Sequence, residues 1–343
     1  MGAISVKILE WTPEYSVHVD EIDREHQYQF GLVNRLHDAM LAGRGTEILG
    51  TLLAELTKYT MYHFANEEKL MADLHYPKMT AHIEMHEGLR RRVREVETRF
   101  DRGEAAITIE LMLFLEDWLR NHTMVVDRKL GTFVQAERRF IAYLELLLQG
   151  DLRGCGLIVQ RLLAEGISFE ELYLDLFQRS LYRTGELWMQ NRVSVATEHL
   201  VTSITQSMMK LVHPTLLDSP RNGKKAMVTC VSGELHQVGA QMVSDTFEYL
   251  GWGSYFLGAD TPVDGLLDLI GEKQPEVLCL SVSLTSHVGQ FMDTVKMTRI
   301  RFPDLEILAG GQALAPNRFE IVNDPHLRYV RSLEELETWI ARR

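Results

Sequence analysis

The chain has 343 residues, of which 45% are hydrophobic and 24% charged, and its formal net charge at pH 7 is −12. This length predicts two or three domains with sizeable cores. The acidic balance disfavours a groove for duplex nucleic acid, which requires clustered Lys and Arg, so no nucleic-acid partner is expected.

Cysteine usage and hydropathy favour a cytoplasmic location. Cys155, Cys230 and Cys279 lie far apart with no paired spacing, which is typical of reduced thiols in a cytosolic protein. The first residues show no charged segment followed by an apolar one, and no apolar run is long enough to span a bilayer. We therefore expect a cytoplasmic protein without a membrane partner.

The first predicted segment, residues 1–135, is a four-helix bundle. From Asp20 to about Val134, apolar residues recur at helical spacing, and the breaks fall at short polar or glycine-bearing stretches such as "AGRGTE" and "FDRGEA". Helices joined by such short loops pack antiparallel. Residues 136–217 are predicted to form a second helical bundle, because "LQGDLRG" and "AEGISFEE" carry turn and cap signals and no strand pattern appears.

The third predicted segment, residues 223–343, follows the linker "LLDSPRNGKK" and is an α/β domain. Its short β-rich runs are "AMVTCVSG", "GSYFLGAD", "VLCLSVSL" and "EILAGG", and amphipathic helical stretches separate them. Such alternation implies right-handed crossovers and a parallel sheet covered on both faces. The predicted fold class is therefore multidomain, with an all-α four-helix bundle, a second helical bundle and a Rossmann-like α/β domain.

Histidines and acids recur at ligand spacing in the first segment. His63 and Glu67 are four apart, as are His82 and His86, so each pair projects from one helix face. The full set of ligand-type side chains is His26, His63, Glu67, His82, His86, His122 and Asp127. The last two, five apart, are expected near the end of the fourth helix. A single HxxxH is weak evidence, but seven such side chains on four helices predict a metal site inside the bundle, where imidazole and carboxylate suit iron without excluding zinc or manganese.

Coordination arithmetic favours a pair of metal ions. With two octahedral ions, two bridging carboxylates and one oxo or hydroxo bridge, the protein and the bridge fill about eleven of about twelve coordination positions. One position stays open for a small diatomic molecule or an anion. No polar catalytic side chain accompanies it, so we expect a binding or sensing protein and not an enzyme.

The stretch from Trp11 to about Phe133 resembles bacterial hemerythrin. The resemblance runs through "HVDEIDREHQ", "YTMYHFANEEKLM", "HIEMHE" and "WLRNHTMVVD". It implies an oxo-bridged di-iron centre that binds oxygen at the iron held by His26 and His63. By the same resemblance the other iron is held by His82, His86 and His122, and the bridging acids are Glu67 and Asp127.

A second candidate site follows the first strand of the α/β segment. "AMVTCVSGELHQVGAQMV" ends a strand and opens a helix, which puts His236 at the carboxyl edge of the sheet, where open α/β folds bind ligands. The fingerprint GxGxxG is missing, so a phosphate cradle is not expected. The stretch instead resembles the corrinoid-binding signature, in which DxHxxG is followed by SxL and then GG. The matching residues are Glu234, His236 and Gly239, then Ser281, then Gly310 and Gly311.

This resemblance implies that His236 displaces the dimethylbenzimidazole tail of cobalamin and becomes the lower cobalt ligand. Ser281 and Thr285 would line the tail pocket, and the paired glycines would let the tail pass close to the backbone. Two residues depart from the signature, because Glu234 replaces the usual Asp and Ser283 replaces the usual Leu. Glu234 is expected to reach the imidazole of His236 and to orient it.

The helical segment 136–217 resembles the four-helix cap that covers the upper face of such corrinoids. Its "WMQNRVSVATEH" resembles the upper-face motif of CarH-type adenosylcobalamin light sensors, in which a tryptophan packs against the adenosyl group and a glutamate hydrogen-bonds it. The resemblance implies these roles for Trp188 and Glu198, with His199 beside them. In those sensors a histidine directly after the tryptophan captures the cobalt once light has removed the adenosyl group, and here that position is Met189.

The resemblances together imply a cobalamin-binding photoreceptor that also reads oxygen or redox state at its di-iron centre. A corrinoid methyl carrier serving a methyltransferase is the alternative, but a methyl group needs no Trp and Glu clamp, which favours the sensor. An adenosylcobalamin isomerase would need a substrate barrel of about 250 residues, and the sequence shows none, so this function is not expected. The bundle takes the place of the sensors' DNA-binding domain, so a transcription-factor output is not expected. The outputs that stay open are a change in the state of a homo-oligomer, a protein partner that the sequence does not identify, and chemistry between the two metal centres.

Overall fold

The computed structural model describes residues 8–44, 46–103, 109–314 and 324–343. The chain divides into two compact units, Met1–Ile141 and Ala142–Arg343. The predicted segments 136–217 and 223–343 therefore belong mainly to one unit. Within the described residues, no helix combines the length and the apolar character that crossing a membrane requires.

The first unit is the predicted four-helix bundle. Its first three helices are α1 (Asp20–Leu41), α2 (Thr46–Asp73) and α3 (Met79–Asp101), and a short 3-10 turn, Pro13–Tyr15, precedes them. The fourth helix consists of α4 (Ile109–Asn121), a π-helical segment (His122–Asp127) and α5 (Arg128–Gln149). Apolar residues at helical spacing, such as Phe30, Leu36, Leu56 and Met112, are buried between the helices. Fully burying one such side chain contributes about 1.5–3 kcal/mol, so this inward-facing stripe holds the bundle together.

The fourth helix is longer than the sequence predicts. An end near Val134 is expected, but the helical backbone continues to Gln149, so this prediction is wrong. Residues 135–149 contain neither glycine nor proline, and nothing in them stops a helix. The helix ends where Gly150 adopts a φ of +77°, a conformation that glycine reaches without steric cost.

The helical part of the second unit has the predicted turns. Its elements are α6 (Leu152–Ala164), a π-helical segment (Glu171–Gln178) that runs into α7 (Arg179–Met189), and α8 (Val195–Leu217). Asp151 caps α6 by accepting a hydrogen bond from the N–H of Gly154 at 2.8 Å. Ser168 and Glu171 each bond the other's backbone N–H, which is the capping box that "GISFEE" predicts.

The sheet of the second unit is parallel throughout. Its strands are β1 (Lys225–Cys230), β2 (Gly253–Gly258), β3 (Val277–Ser281), β4 (Glu306–Gly310) and β5 (Leu327–Tyr329), and the helices that alternate with them are α9 (Val238–Tyr249), α10 (Val263–Lys273), α11 (Val288–Arg301) and α12 (Leu333–Ala341). The strand order is β2-β1-β3-β4-β5. Because the order reverses at β1, the carboxyl ends of β1 and β3 form the switch point where such sheets bind ligands. The fifth strand was not predicted, since three residues are too few to show alternation.

Alternate residues of the strands are buried in two separate hydrophobic cores, one on each face of the sheet. Val228 and Cys279 face a core that α9, α12 and the helical part share, and Phe177 is among the residues buried there. Met227 and Leu278 face the opposite core, against α10 and α11. The period of two along each strand thus joins the helical part to one face of the sheet. All three cysteines are buried and unpaired.

Candidate metal centre and corrinoid site

Seven buried side chains from the four helices of the first unit converge on one place. None of them is more than 4% exposed. One group comprises Glu67, His82, His86, His122 and Asp127, the other comprises His26, His63, Glu67 and Asp127, and the ligand atoms of each group lie within 4.8 Å of one another. All seven predicted ligands are therefore brought together. Because two acids belong to both groups, the arrangement offers two metal positions with shared carboxylates.

The backbone explains why these side chains share a face. The ligand pairs of α2 and α3 each span one α-helical turn. In an α-helix, residues five apart point about 140° away from each other, which would separate His122 from Asp127. The π-helical segment between them widens the turn, and Nε2 of His122 lies 3.1 Å from Oδ1 of Asp127.

Asp127 presents its two oxygens to different histidines. Its Oδ2 lies 3.1 Å from Nε2 of His26. Its Oδ1 lies 3.2 Å from Nε2 of His82 and 3.1 Å from Nε2 of His122. One oxygen therefore faces each metal position, which is the placement of a bridging carboxylate.

Glu67 is placed in the same way. Its Oε1 is 3.6 Å from Nε2 of His63, and its Oε2 is 3.2 Å from Nε2 of His86. Although these distances are short, the carboxylate oxygens of Glu67 and Asp127 form no aligned hydrogen bond with any described residue. Buried polar atoms left without hydrogen bonds are costly, unless they point together at a metal ion. Five imidazoles and two carboxylates fit two iron ions.

Two further acids, which sequence reasoning missed, contact the ligand histidines from outside. Oε2 of Glu25 is 2.8 Å from Nδ1 of His63, and Oε1 of Glu68 is 2.9 Å from Nδ1 of His86. Such contacts fix which ring nitrogen faces the metal and make the imidazole a stronger ligand. Each acid directly neighbours a ligand in sequence, but it contacts a histidine 38 or 18 residues away, so only the fold reveals its role.

The electrostatics of the site keep both shared acids ionised. Burial and the charge of the second carboxylate would raise the pKa of Glu67, but the surrounding imidazoles, led by His63, leave it below its usual value. Burial likewise opposes the ionisation of Asp127, and His122 and the other imidazoles hold its pKa well below the usual range. The acids are therefore available as anionic ligands.

Glu234 joins two loops at the carboxyl edge of the sheet in the second unit. It is fully buried and accepts hydrogen bonds from the backbone N–H groups of His236, Ser283 and Leu284 at 2.8–3.0 Å. Its Oε1 is also 2.5 Å from Nδ1 of His236, the contact expected from the sequence. Burial would raise the pKa of Glu234, but these hydrogen bonds lower it to about 2. The ionised carboxylate of Glu234 thus connects the loop after β1 to the loop after β3.

His236 is oriented by this contact and yet remains open to solvent. Its side chain is 55% exposed, and Glu234 engages Nδ1, which leaves Nε2 for a ligand. An exposed imidazole with a carboxylate behind it fits the lower axial position of a corrinoid. His287, which the sequence did not single out, also contacts Glu234, with Nδ1 3.2 Å from Oε2. Its position in the loop after β3 is the signal that could have found it.

The remaining signature residues lie at the same edge. Ser281 ends β3 and pairs in register with Gly310, the last residue of β4, while Ser283 and Thr285 follow in the loop. Gly239 lies in the first turn of α9, and an added methyl group there would meet no described atom within 4 Å. These residues surround the switch point, where a ligand tail would enter the sheet edge.

Gly311 has a local reason to be glycine. Its φ is +109°, which side chains rarely tolerate, and a Cβ at this position would come within 2.1 Å of the carbonyl oxygen of Val282. The close approach of two backbone segments therefore requires this glycine. A residue without a side chain also suits the role that the resemblance implies, in which the cobalamin tail passes close to the backbone. The backbone contact and the passage of the tail are therefore compatible reasons for this glycine.

The upper-face residues lie at a corner between two helices. Trp188 is in the last turn of α7, Glu198 is in the first turn of α8, and residues 190–194 connect them. Trp188 is 46% exposed, so it is not a core residue of the helical part. Oε1 of Glu198 accepts a hydrogen bond from Thr202 at 3.1 Å, and the exposed His199 lies 3.7 Å from Oε2.

Known families cover both units. A family model described as the hemerythrin HHE cation binding domain matches residues 17–134. Two models of B12 binding domains match residues 142–212 and 224–332. A bacteriohemerythrin of Stenotrophomonas maltophilia is 36% identical over 129 residues, which cover 38% of this chain and 83% of that protein. The chain belongs to the bacterial hemerythrin family and carries a cobalamin-binding module.

The cobalamin-binding module is similar to one known protein in sequence and to another in fold. The HTH-type transcriptional repressor CarA of Myxococcus xanthus is 27% identical over 173 residues, which cover 50% of this chain and 58% of that repressor. The solved structure of the Methanosarcina barkeri monomethylamine corrinoid protein matches with a TM-score of 0.54 at 13% identity, over 60% of this chain and 99% of that one. The second match shows a shared fold.

Proposed function

We propose that this hemerythrin–cobalamin fusion is a cytoplasmic light sensor that takes adenosylcobalamin, and that its di-iron centre reports oxygen or redox state. The observation that supports adenosylcobalamin as the cofactor is the exposure of Trp188. Its large ring is 46% exposed, and only the short connection 190–194 separates its helix from the helix that begins with Glu198 in its first turn. An exposed aromatic ring beside a carboxylate suits a nucleoside, because its flat base can stack on the ring and its hydroxyl groups can donate hydrogen bonds to the carboxylate. A methyl group offers neither.

The chain's own residues divide the work of holding and releasing the cofactor. Adenosylcobalamin, when bound, supplies a cobalt–carbon bond that visible light breaks. Glu234 accepts a hydrogen bond from Nδ1–H of His236 and so leaves the Nε2 lone pair for the lower face. Trp188 would stack on the nucleoside, and Glu198 would accept a hydrogen bond from it. Without the nucleoside both contacts would be absent, and the corner between α7 and α8 would be free to rearrange.

The response differs from that of the DNA-binding light sensors after illumination. The residue directly after Trp188 is Met189, which is 70% exposed and ends in a thioether, a softer and weaker ligand than imidazole. His199 is the nearest histidine in sequence, and it already lies beside Glu198. The bis-histidine adduct of those sensors would therefore form either not at all or through a different residue. The signal passes on through a change in oligomeric state or a protein partner, without enzymatic turnover.

The first unit binds a small ligand at the di-iron centre. His26 and His63 supply two imidazoles to one metal position and His82, His86 and His122 supply three to the other. The position with two imidazoles has the open site. Oxygen, or a small anion in its place, is the ligand of suitable size for it. Among the described residues, the additional acid at this position is Glu25, and its Oε2 contacts Nδ1 of His63 at 2.8 Å, which suits a supporting role behind the ligand better than catalysis.

Cofactor choice tests the proposal against the methyl-carrier alternative. Trp188→Ala should weaken binding of adenosylcobalamin about two- to thirteenfold and leave methylcobalamin unchanged, because stacking between aromatic rings is worth about 0.5–1.5 kcal/mol. Tyr182→Ala, which removes another exposed ring of α7, is the matched control. If the wild-type chain prefers methylcobalamin and Trp188→Ala does not distinguish the two cofactors, the chain is a corrinoid methyl carrier.

A further inference from the structure

The bundle contains an apolar cavity of about 30 Å³, more than the roughly 10–15 Å³ that a single water needs. Most of its lining is aliphatic or aromatic. The lining residues include Val33, Leu115 and Trp118, together with the more polar Gln29, Thr57 and Thr60. A cavity of this kind admits a small ligand and gives few polar groups with which to select one, so each polar group in it matters.

Several residues that line the cavity are close in sequence to ligands of the metal centre. Gln29 lies one helical turn after His26 on α1, and Thr60 lies one turn before His63 on α2. Both helices therefore lead from these two ligands to the cavity. Trp118, on the fourth helix, lines the cavity and stacks on His122 at 4.4 Å between ring centroids.

Gln29 is buried with its hydrogen-bonding capacity largely unused. It is 1% exposed. Its Nε2 is 3.5 Å from Oγ1 of Thr60, which is the long limit of a hydrogen bond, and its Oε1 has no partner among the described residues. An amide has two N–H donors and one carbonyl acceptor, and burying them unpaired costs stability. A leucine of similar size would fill this place without that cost.

We propose that Gln29 is a specificity-determining residue, and that its Nε2 donates a hydrogen bond to a small ligand in this cavity. The class of ligand favoured is a diatomic or triatomic molecule whose outer atom accepts a hydrogen bond, and anions gain most because hydrogen bonds to charged acceptors are the stronger ones. Neutral ligands without an acceptor gain nothing. This inference rests on the proposed binding of a small ligand at the di-iron centre, and it adds the residue that discriminates among such ligands.

Azide is a suitable probe, since it is a small anion that accepts hydrogen bonds at its end. The iron-loaded full chain is mixed with azide, and the rate of azide release is measured in the wild type and in Gln29→Leu. We expect release to be at least about tenfold faster in the variant, which corresponds to about 1.4 kcal/mol. Thr57→Val is the matched control, because Thr57 lines the same cavity but donates its hydroxyl to the carbonyl of Leu53 at 3.0 Å. Release from this control should match the wild type.

Two further readouts separate a hydrogen bond from a merely structural role. The infrared stretching band of bound azide should shift between H₂O and D₂O in the wild type and lose that shift in Gln29→Leu. The thermal unfolding midpoint of the iron-loaded variant should equal or exceed that of the wild type, because an unpartnered buried amide has been removed. Equal release rates, with an isotope shift retained in the variant, would overturn the role of Gln29. A wild type that loads iron but binds no azide would overturn the proposed ligand binding itself.

Discussion

Nε2 of His122 lies 3.1 Å from Oδ1 of Asp127, although the two residues are five apart on one continuous helix. The π-helical segment between them makes this contact possible, since it brings both side chains to the bundle interior. Asp127 is then free to present its other oxygen to His26 at 3.1 Å. A local irregularity of the backbone therefore supplies the geometry that links the two metal positions.

Removing one shared acid should empty the centre. We expect the wild-type chain to bind about two irons, and Glu67→Ala to lose the oxo-bridged absorption and most of the iron, because both metal positions lose a ligand. Corrinoid binding, which belongs to the other unit, should survive. The measurement is metal analysis together with visible spectroscopy. Glu84→Ala, an exposed acid between His82 and His86 on α3, is the control. One zinc per chain in well-loaded wild type would contradict the di-iron account.

The acids behind the ligands should affect metal affinity without being ligands. Oε2 of Glu25 lies 2.8 Å from Nδ1 of His63, and such partners typically account for about 10–100-fold in metal affinity. Glu25→Ala should therefore release iron to a competing chelator at about 10–100-fold lower chelator concentration. Glu21→Ala, one turn earlier on α1 and exposed, should behave as the wild type. Indistinguishable chelator titrations of Glu25→Ala and the wild type would show that the contact does not support the metal.

The extent of prediction from sequence differs between the two sites for physical reasons. Spacing of four residues marks one face of a helix, so the pairs on α2 and α3 could be read directly. Spacing of five does not, and the π-helical segment after Asn121 could not be foreseen. Glu25 and Glu68 were missed because their contacts cross between helices, and no local pattern encodes such distances.

In the second unit, the alternation of strand and helix gave the sheet and its carboxyl edge, and the contact between Glu234 and His236 was expected. The contact between His287 and Glu234 was not expected, because it depends on how the loop after β3 folds back. The exposure of Trp188 also required the structure, because an aromatic ring at helical spacing is usually a core residue.

Cobalamin binding should depend on the imidazole at the sheet edge. His236→Ala should weaken binding or change the visible spectrum to a form without a histidine below the cobalt, because Nε2 of His236 is the nitrogen that remains available. His326→Ala removes another partly exposed histidine of the same unit and should leave the spectrum unchanged. An unaltered spectrum in His236→Ala would remove this residue from the site.

Glu234 should stabilise the second unit in a pH-dependent way. Its pKa is lowered from 4.5 to about 2 in the folded chain by the hydrogen bonds that it accepts, so the ionised carboxylate stabilises the folded state. Because the folded pKa is lowered, this stability is present above about pH 4.5 and is lost as the pH falls towards 2. Glu234→Gln should therefore unfold at lower denaturant concentration than the wild type near neutral pH, and the difference should shrink under acid conditions. A difference that does not change with pH would refute the ionic role of this carboxylate.

The response to light is the most direct test of the central claim, that adenosylcobalamin bound at the corner between Trp188 and Glu198 makes the chain a photoreceptor. The chain loaded with adenosylcobalamin and iron is compared in darkness and after visible illumination, with and without oxygen, by absorption spectroscopy and size-exclusion chromatography. We predict that illumination changes the corrinoid spectrum, because the adenosyl group is lost, and shifts the elution volume, because the corner between α7 and α8 loses its packing partner. An identical spectrum and elution volume in light and darkness, under both atmospheres, would contradict the account and leave a corrinoid carrier or store that does not respond to light.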